Sequence, residues 1–520
     1  MNSTEQNVHP GMPSDQEPGG MTLSQWLALG ALLAVAVALR LHAIASESIW
    51  FDESITYTWL DSPTIFEFFR GEAIRDPATV PIYYGVAYLW YHLGFTSIVG
   101  MRLLSVIAGT LGIMALYFFG RRLFGHIGGL TAAACMTFAK LQIYMSQEIR
   151  NYAFTLLFAI VAMYALNEAA NRGRRNWWAV NIIASIAVAL THFFGLLLPF
   201  AQGVYLLASR PRQIKWIAVW AAVQLPFYAL IPLWVNYVQS GQVEAETQWI
   251  NWTPLSRAFD AYYFVFAGSL QDALDFVRRL PWGIPVHHIL GMAFLLAGAG
   301  YLAFCAYAVR HKFRLPIGYE ARTSFMLMCW LFVPPATLFL MGRLIRPCFV
   351  ERYVLYSALP LFLVMGGAIA ALPKRSLQYG ALGLLLAVYA GNLYDYNRPL
   401  RPDYASTGAI LRDQFNPGER LFASLDYIQL PMKYYAGIPY EANFGNSDTF
   451  LDEAFKEARG GKRAWIWFVE VPKVWEFDAI DAKIRGGEFQ VEHWVFHGRW
   501  ATHLYRIEPK VSVAEHSGRE

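Results

Sequence analysis

A chain of 520 residues that is 56% hydrophobic and 16% aromatic but only 15% charged does not have the composition of a soluble protein, in which about a quarter of residues carry charge. A net charge of +4 is too small and too dispersed to argue for nucleic acid. The four cysteines offer no disulfide framework, because Cys135, Cys305 and Cys329 lie in or beside apolar runs. These features predict a mainly α, polytopic membrane protein.

In chain order, residues 1–22 lack Lys and Arg and are rich in Gly, Pro and Ser, which predicts a disordered tail rather than a cleavable signal peptide. A membrane span needs about 20 apolar residues. Runs of that kind fall near 23–45, 98–120, 127–145, 152–170, 177–191, 193–208, 215–236, 289–309, 323–341, 352–372 and 377–394, about eleven spans. With the amino terminus inside, basic clusters at Arg121, Arg172, Arg210, Arg310 and Lys374 all fall on the cytoplasmic side, as the positive-inside rule requires. Segments 46–97, 146–151, 237–288, 342–351 and 395–520 are then external. Val80–Gly94 is apolar but too short to span, and with Pro63–Arg70 it predicts juxtamembrane helices in the first outer loop. The long loop 237–288 predicts a functional lid or binding element.

The composition changes at Asn397. Helix-like stretches at Thr407–Gln414, Thr449–Ala458 and Phe477–Ile484 alternate there with strand-like ones at Arg420–Ser424, Arg463–Phe468, Val491–Phe496 and His503–Ile507. The expected organisation is a tail at 1–22 and a transmembrane domain at 23–396 with an outer loop at 46–97. A small external α/β domain at 397–510 and a disordered tail at 511–520 follow.

Three polar groups carry the chemistry. Asp52 and Glu53 stand in SESIWFDESITY, where the first span meets water, and acids at that depth read as functional. One carboxylate there can act as a general base, and its neighbour can hold a hydroxyl or tune it; the plain alternative is two solvated loop residues. Ser146–Tyr152 packs Gln147, Glu148, Arg150 and Tyr152 into a very short connection. Arg150 suits a phosphate, and Glu148 suits orienting it; the alternative is an interfacial loop whose arginine snorkels. Arg343, Arg346, Arg352 and Tyr353 put positive charge outside, near a span start, which suits an anionic lipid headgroup; the alternative is local pairing of Arg352 with Glu351 at the helix start. Asp76 is a further candidate acid. His192 could contact substrate, although a lone histidine in such a turn is more often structural. His287 and His288 have no metal-ligand partners at suitable spacing, and no phosphate-binding loop or dinucleotide fingerprint is present.

Trp50-Phe51-Asp52-Glu53, Pro81-Ile82-Tyr83-Tyr84, Arg102-Leu103-Leu104-Ser105, Gly120–Gly125, Ser146–Tyr152 and Glu351-Arg352-Tyr353 resemble, in order and spacing, the C-type glycosyltransferase superfamily. The likeness runs over residues 23–400 and is nearest to bacterial protein O-mannosyltransferases of family 39 and aminoarabinose transferases. It implies an inverting hexosyl transfer from a polyprenyl-phosphate sugar to a lipid, glycan or protein acceptor on the outer face of the inner membrane. Asp52 is then the base, with Glu53 and Tyr83 close to the substrates and the arginines at the donor phosphate. No metal is required, although a divalent cation is compatible. One departure is Thr79-Val80-Pro81, where related sequences carry His-Pro-Pro. A transporter of lipid-linked sugar would explain the spans, but it should show broken or charged helices at midplane. A scaffold would leave the polar groups unexplained.

Overall fold

The computed structural model describes residues 19–75, 80–238, 300, 321–345, 347–393, 401–423, 429–437, 447–470, 477–497 and 501–510. Asp76, Arg346, Cys305, the loop 239–288 with its histidines, the run 289–299 and both chain ends lie outside these residues. The chain divides into two compact units, one of Met1–His42 with Asp61–Asp395 and one of Ala43–Leu60 with Tyr396–Glu520. The segment bearing Asp52 therefore groups with the C-terminal residues, whereas the sequence reading attached it to the transmembrane domain.

The first unit is helical: α1 (Leu23–Leu41), α3 (Ile65–Arg75), α4 (Pro81–His92), α5 (Ile98–Phe138), α6 (Lys140–Met145), α7 (Tyr152–Leu166), α8 (Trp177–Ala189), α9 (Leu197–Ser209), α10 (Ile214–Val238), α11 (Ala321–Leu344), α12 (Leu359–Ala370) and α13 (Arg375–Leu393). Helix α2 (Phe51–Trp59) belongs to the second unit. Among the described residues five helical stretches are long and apolar enough to cross a membrane: Leu23–Leu41, Ile98–Phe138, Tyr152–Asn171, Ala321–Leu344 and Arg352–Ala370. The expected spans 177–191 and 193–208 are shorter. Helix α8 has 13 residues, roughly 20 Å at 1.5 Å per residue, against a hydrocarbon core of about 30 Å. Leu23, Ile183, Phe200, Trp216, Leu225 and Leu384 are exposed on the unit's surface, as lipid-facing residues would be.

The two runs 98–120 and 127–145 are joined in α5, which breaks at Gly125, where φ is 79° and ψ −174°. That left-handed conformation costs little only without a Cβ. Beyond the break, α5 meets α12 backbone to backbone. A Cβ at Gly366 would lie 2.3 Å from the carbonyl oxygen of Gly128. Gly366→Ala is therefore expected to destabilise the protein by about 1–3 kcal/mol. A lowered thermal midpoint in detergent checks this, and an unchanged midpoint contradicts it. Polar groups also tie α7 to α10: Asn181 Nδ2 donates to the Ala162 carbonyl at 2.9 Å and Trp220 Nε1 donates to Asn181 Oδ1 at 2.8 Å, the kind of pairing that holds helices together in lipid.

The second unit contains α14 (Tyr404–Gln414), β1 (Arg420–Ala423), α15 (Gln429–Ala436), α16 (Ser447–Arg459), β2 (Ala464–Val469), α17 (Phe477–Ile484), β3 (Phe489–Phe496) and β4 (Thr502–Pro509). The strands order β1-β2-β4-β3, with β1 parallel to β2 and the other pairs antiparallel. Strand β2, AWIWFV, is buried at every position. Ala464, Ile466 and Phe468 join a core with Phe450 of α16 and Ile480 of α17, while Trp465, Trp467 and Val469 join another with Tyr404 and Leu411 of α14. A strand covered on both faces reads as a continuous apolar run for this reason.

Strands β3 and β4 carry a titrating cluster. His493 Nε2 and His503 Nδ1 lie 3.0 Å apart, and the His493 ring stacks on Tyr505 at 4.0 Å. Tyr505 donates to Asp481 at 2.8 Å, and Asp481 also pairs with Arg485. Burial, His503 and Arg485 push His493 from its ordinary 6.5 down to about 4, against the opposing pull of Asp481. The unfolded chain therefore binds more protons between these values, so the contribution is fully present above 6.5 and lost as pH falls towards 4. Thermal unfolding of the full chain is expected at lower temperature at pH 4.5 than at pH 7. His493→Gln should shrink that difference, and a midpoint insensitive to pH contradicts the account.

Candidate active site

The Asp52 segment is positioned within the second unit. Helix α2 starts after Trp50, whose backbone is extended, and puts Asp52 and Glu53 in its first turn. The unsatisfied N–H groups and positive dipole end there favour carboxylates. The two acids are held differently. Asp52 is half-buried, whereas Glu53 is 0% exposed and ion-paired with Arg401, itself 3% exposed. Glu53 Oε2 also accepts from the Trp50 backbone N–H at 3.4 Å. Arg401 Nη1 further donates to the Ser48 carbonyl at 3.1 Å. Ser48 Oγ accepts from the Ala405 N–H at 3.1 Å, and the Ile49 N–H donates to Tyr435 Oη at 2.6 Å. Tyr57 meets Tyr434 edge to face at 5.4 Å. The plain alternative of two solvated loop acids does not hold, since the pair sits on a helix and Glu53 is fully enclosed.

The polar cluster of the first unit is a buried turn between α6 and α7. Ser146, Gln147, Glu148, Arg150, Asn151 and Tyr152 are all buried, which removes the reading of Arg150 as a snorkelling loop residue. Ser105 Oγ donates to the Glu148 carbonyl at 2.5 Å. Gln147 Nε2 donates to the carbonyls of Arg40 and His42, at 2.9 and 2.8 Å, and so caps the last turn of α1. Fully buried Arg40 bonds to Ser146 Oγ at 3.2 Å and to the carbonyls of Ala36, Met136 and Thr137. The amide nitrogen of Gln147 thus has a structural task beside any contact with a donor.

An aromatic wall adjoins this turn. The Arg150 guanidinium lies 6.0 Å from the Tyr84 ring centroid. Tyr83 packs on Tyr84 and Phe154 at 5.2 and 5.6 Å. Asn151 Nδ2 donates to the Thr191 carbonyl at 2.7 Å. His192 Nδ1 accepts from the Phe194 N–H at 3.2 Å, so the neutral ring carries its proton on Nε2. The His192 ring lies 6.0 Å from Tyr152 and 5.5 Å from Tyr353, and Tyr353 stacks on Phe194 at 5.0 Å. Tyr83, Arg150, Tyr152, His192 and Tyr353 are thereby brought into one neighbourhood, through α4, α7 and the turns at 190–196 and 350–356. Arg352 is half-buried, and Arg343 is exposed with its guanidinium 5.5 Å from Phe339. Arg40, Arg401 and Tyr435 were not singled out by the sequence, and Tyr84 and Asn151 entered it only as members of longer motifs. Only Arg40 carried a local signal, a charge inside an apolar run.

Residues 80–236 match the family described as dolichyl-phosphate-mannose-protein mannosyltransferase. The oligosaccharyltransferase of Archaeoglobus fulgidus, in complex with Zn and sulfate, aligns with a TM-score of 0.51 at 12% identity, over 90% of this chain and 72% of that one. ArnT from Cupriavidus metallidurans bound to undecaprenyl phosphate gives a TM-score of 0.44 at 13% identity, over 96% of this chain and 100% of that one. No curated protein matches by sequence. The family match covers less than a third of the chain, and the likeness to the archaeal enzyme is one of fold. The chain is a multi-pass membrane protein whose fold is similar to that of the archaeal oligosaccharyltransferase.

Proposed function

We propose that this chain is an inverting glycosyltransferase that moves one monosaccharide from a polyprenyl-phosphate carrier to a lipid, glycan or protein acceptor on the outer face of the bacterial inner membrane. The observation that carries the reading is the unequal treatment of two adjacent acids. Glu53 is enclosed in an ion pair, while Asp52 is half-buried at the start of a helix. Asp52 takes the acceptor's proton as the acceptor oxygen bonds to the anomeric carbon. The bond from that carbon to the phosphate oxygen breaks, and polyprenyl phosphate leaves. Arg150 and Arg352, with Arg346, neutralise the leaving phosphate, the task a metal performs in other transferases. Tyr152, Tyr353 and Glu148 shape the donor pocket. The matched family's description names a dolichyl-phosphate-linked donor, in keeping with this donor class. The outward orientation rests on the distribution of Arg and Lys between the loops. Purified protein given labelled polyprenyl-phosphate sugars and a membrane extract should transfer label into acceptors, and Asp52→Asn should not. Equal transfer by both would remove Asp52 from the role.

A further inference from the structure

The geometry points to Arg401 as a positioning residue for Asp52, which makes the C-terminal residues part of the catalytic apparatus rather than an appended module. This inference rests on the proposed role of Asp52 as base. One guanidinium nitrogen brackets that residue in sequence, donating to the Ser48 carbonyl four positions before it and to the Glu53 carboxylate one position after it. Two further bonds from the same unit fix the approach to α2: the Ala405 N–H to Ser48 Oγ and the Ile49 N–H to Tyr435. The direction of α2's first turn is thus set by residues 401, 405 and 435.

A fully enclosed ion pair is a poor source of stability, because desolvating both charges offsets most of their attraction. Apolar residues of similar volume often do as well or better. Its distinctive property is directional. Arginine has several donors in a rigid planar array and can hold two acceptors at once, which an apolar side chain cannot do. What the pair confers here is placement of the neighbouring carboxylate, and small misplacements of reacting groups are costly in rate.

The test uses the full chain in nanodiscs, with Arg401→Met, Arg401→Lys and the double variant Glu53→Gln/Arg401→Met. Transfer kinetics and amide hydrogen exchange of residues 46–60 are read together. Arg401→Met is expected to lower kcat by about 10²-fold with donor KM little changed, and to speed exchange across 46–60. Arg401→Lys should recover part of kcat. The double variant leaves no charge buried alone, so it should regain thermal stability while kcat stays low. Wild-type kcat in the folded double variant would overturn the inference by showing that the pair only neutralises itself. If wild type transfers no sugar, the transferase reading fails, and exchange still decides the structural claim. Faster exchange in Arg401→Lys or the double variant supports the clamp, and unchanged exchange in both overturns it.

Discussion

Asp52→Asn is expected to lower the rate of sugar transfer by about 10²- to 10⁴-fold, the range that a positioned general base supplies. In activation free energy this is roughly 3–5 kcal/mol. Asparagine matches aspartate in size and retains an acceptor oxygen, so the turn of α2 should persist. Glu53, its partner Arg401 and the bonds to Ser48 and Ile49 are untouched by the change. Thermal stability and donor affinity should therefore stay near wild type. Asp52→Glu is the informative companion, because it keeps a base but moves it by one methylene. An intermediate rate there, with a severe loss in Asp52→Asn, is the pattern expected when both basicity and placement count. A transfer rate within about threefold of wild type in Asp52→Asn would contradict the assignment, since far larger losses follow removal of a base.

The second large effect is expected at Arg150. Its side chain is 8% exposed, with the guanidinium 6.0 Å from the Tyr84 ring centroid. A hydrogen bond to a charged group contributes about 1.5–3 kcal/mol, so Arg150→Gln should weaken donor binding by roughly 10- to 150-fold. Arg150→Lys keeps the charge but loses the planar fork that matches phosphate oxygens, and should fall between the two. Donor KM and the dissociation constant of free polyprenyl phosphate should rise in parallel, because both molecules carry the phosphate. Unaltered affinity for both in a folded Arg150→Gln protein would remove this residue from the donor site.

Much of the local structure was legible in the sequence, because hydropathy and period depend on neighbours. The strand-like stretch Arg463–Phe468 is β2 to within a residue at each end. The apolar runs at 23–45, 152–170 and 323–341 became α1, α7 and α11. Span lengths were read less well. The run 193–208 begins with a turn of 3-10 helix, Phe193–Leu196, before α9 starts, and hydropathy does not register that change. Side-chain partners were the least legible. Glu53 looks like Asp52 in the sequence, and what separates them is an arginine 348 positions away. Gln147 had the composition of a binding residue, yet its amide caps the end of α1, more than 100 positions earlier. His192 divides in the same way, with one ring nitrogen committed to Phe194. Pairings made by folding over such separations leave no local trace.

Sugar transfer, unlike transport, breaks the bond between an anomeric carbon and a lipid phosphate. The most direct measurement is product stoichiometry. Purified protein in vesicles would receive polyprenyl-phosphate sugar labelled separately in the sugar and in the phosphate, with an acceptor extract. The account predicts one free polyprenyl phosphate for each sugar that appears on acceptor, with both signals lost in Asp52→Asn. Movement of intact doubly labelled lipid across the vesicle membrane, with no free polyprenyl phosphate, would contradict it and identify a transporter instead.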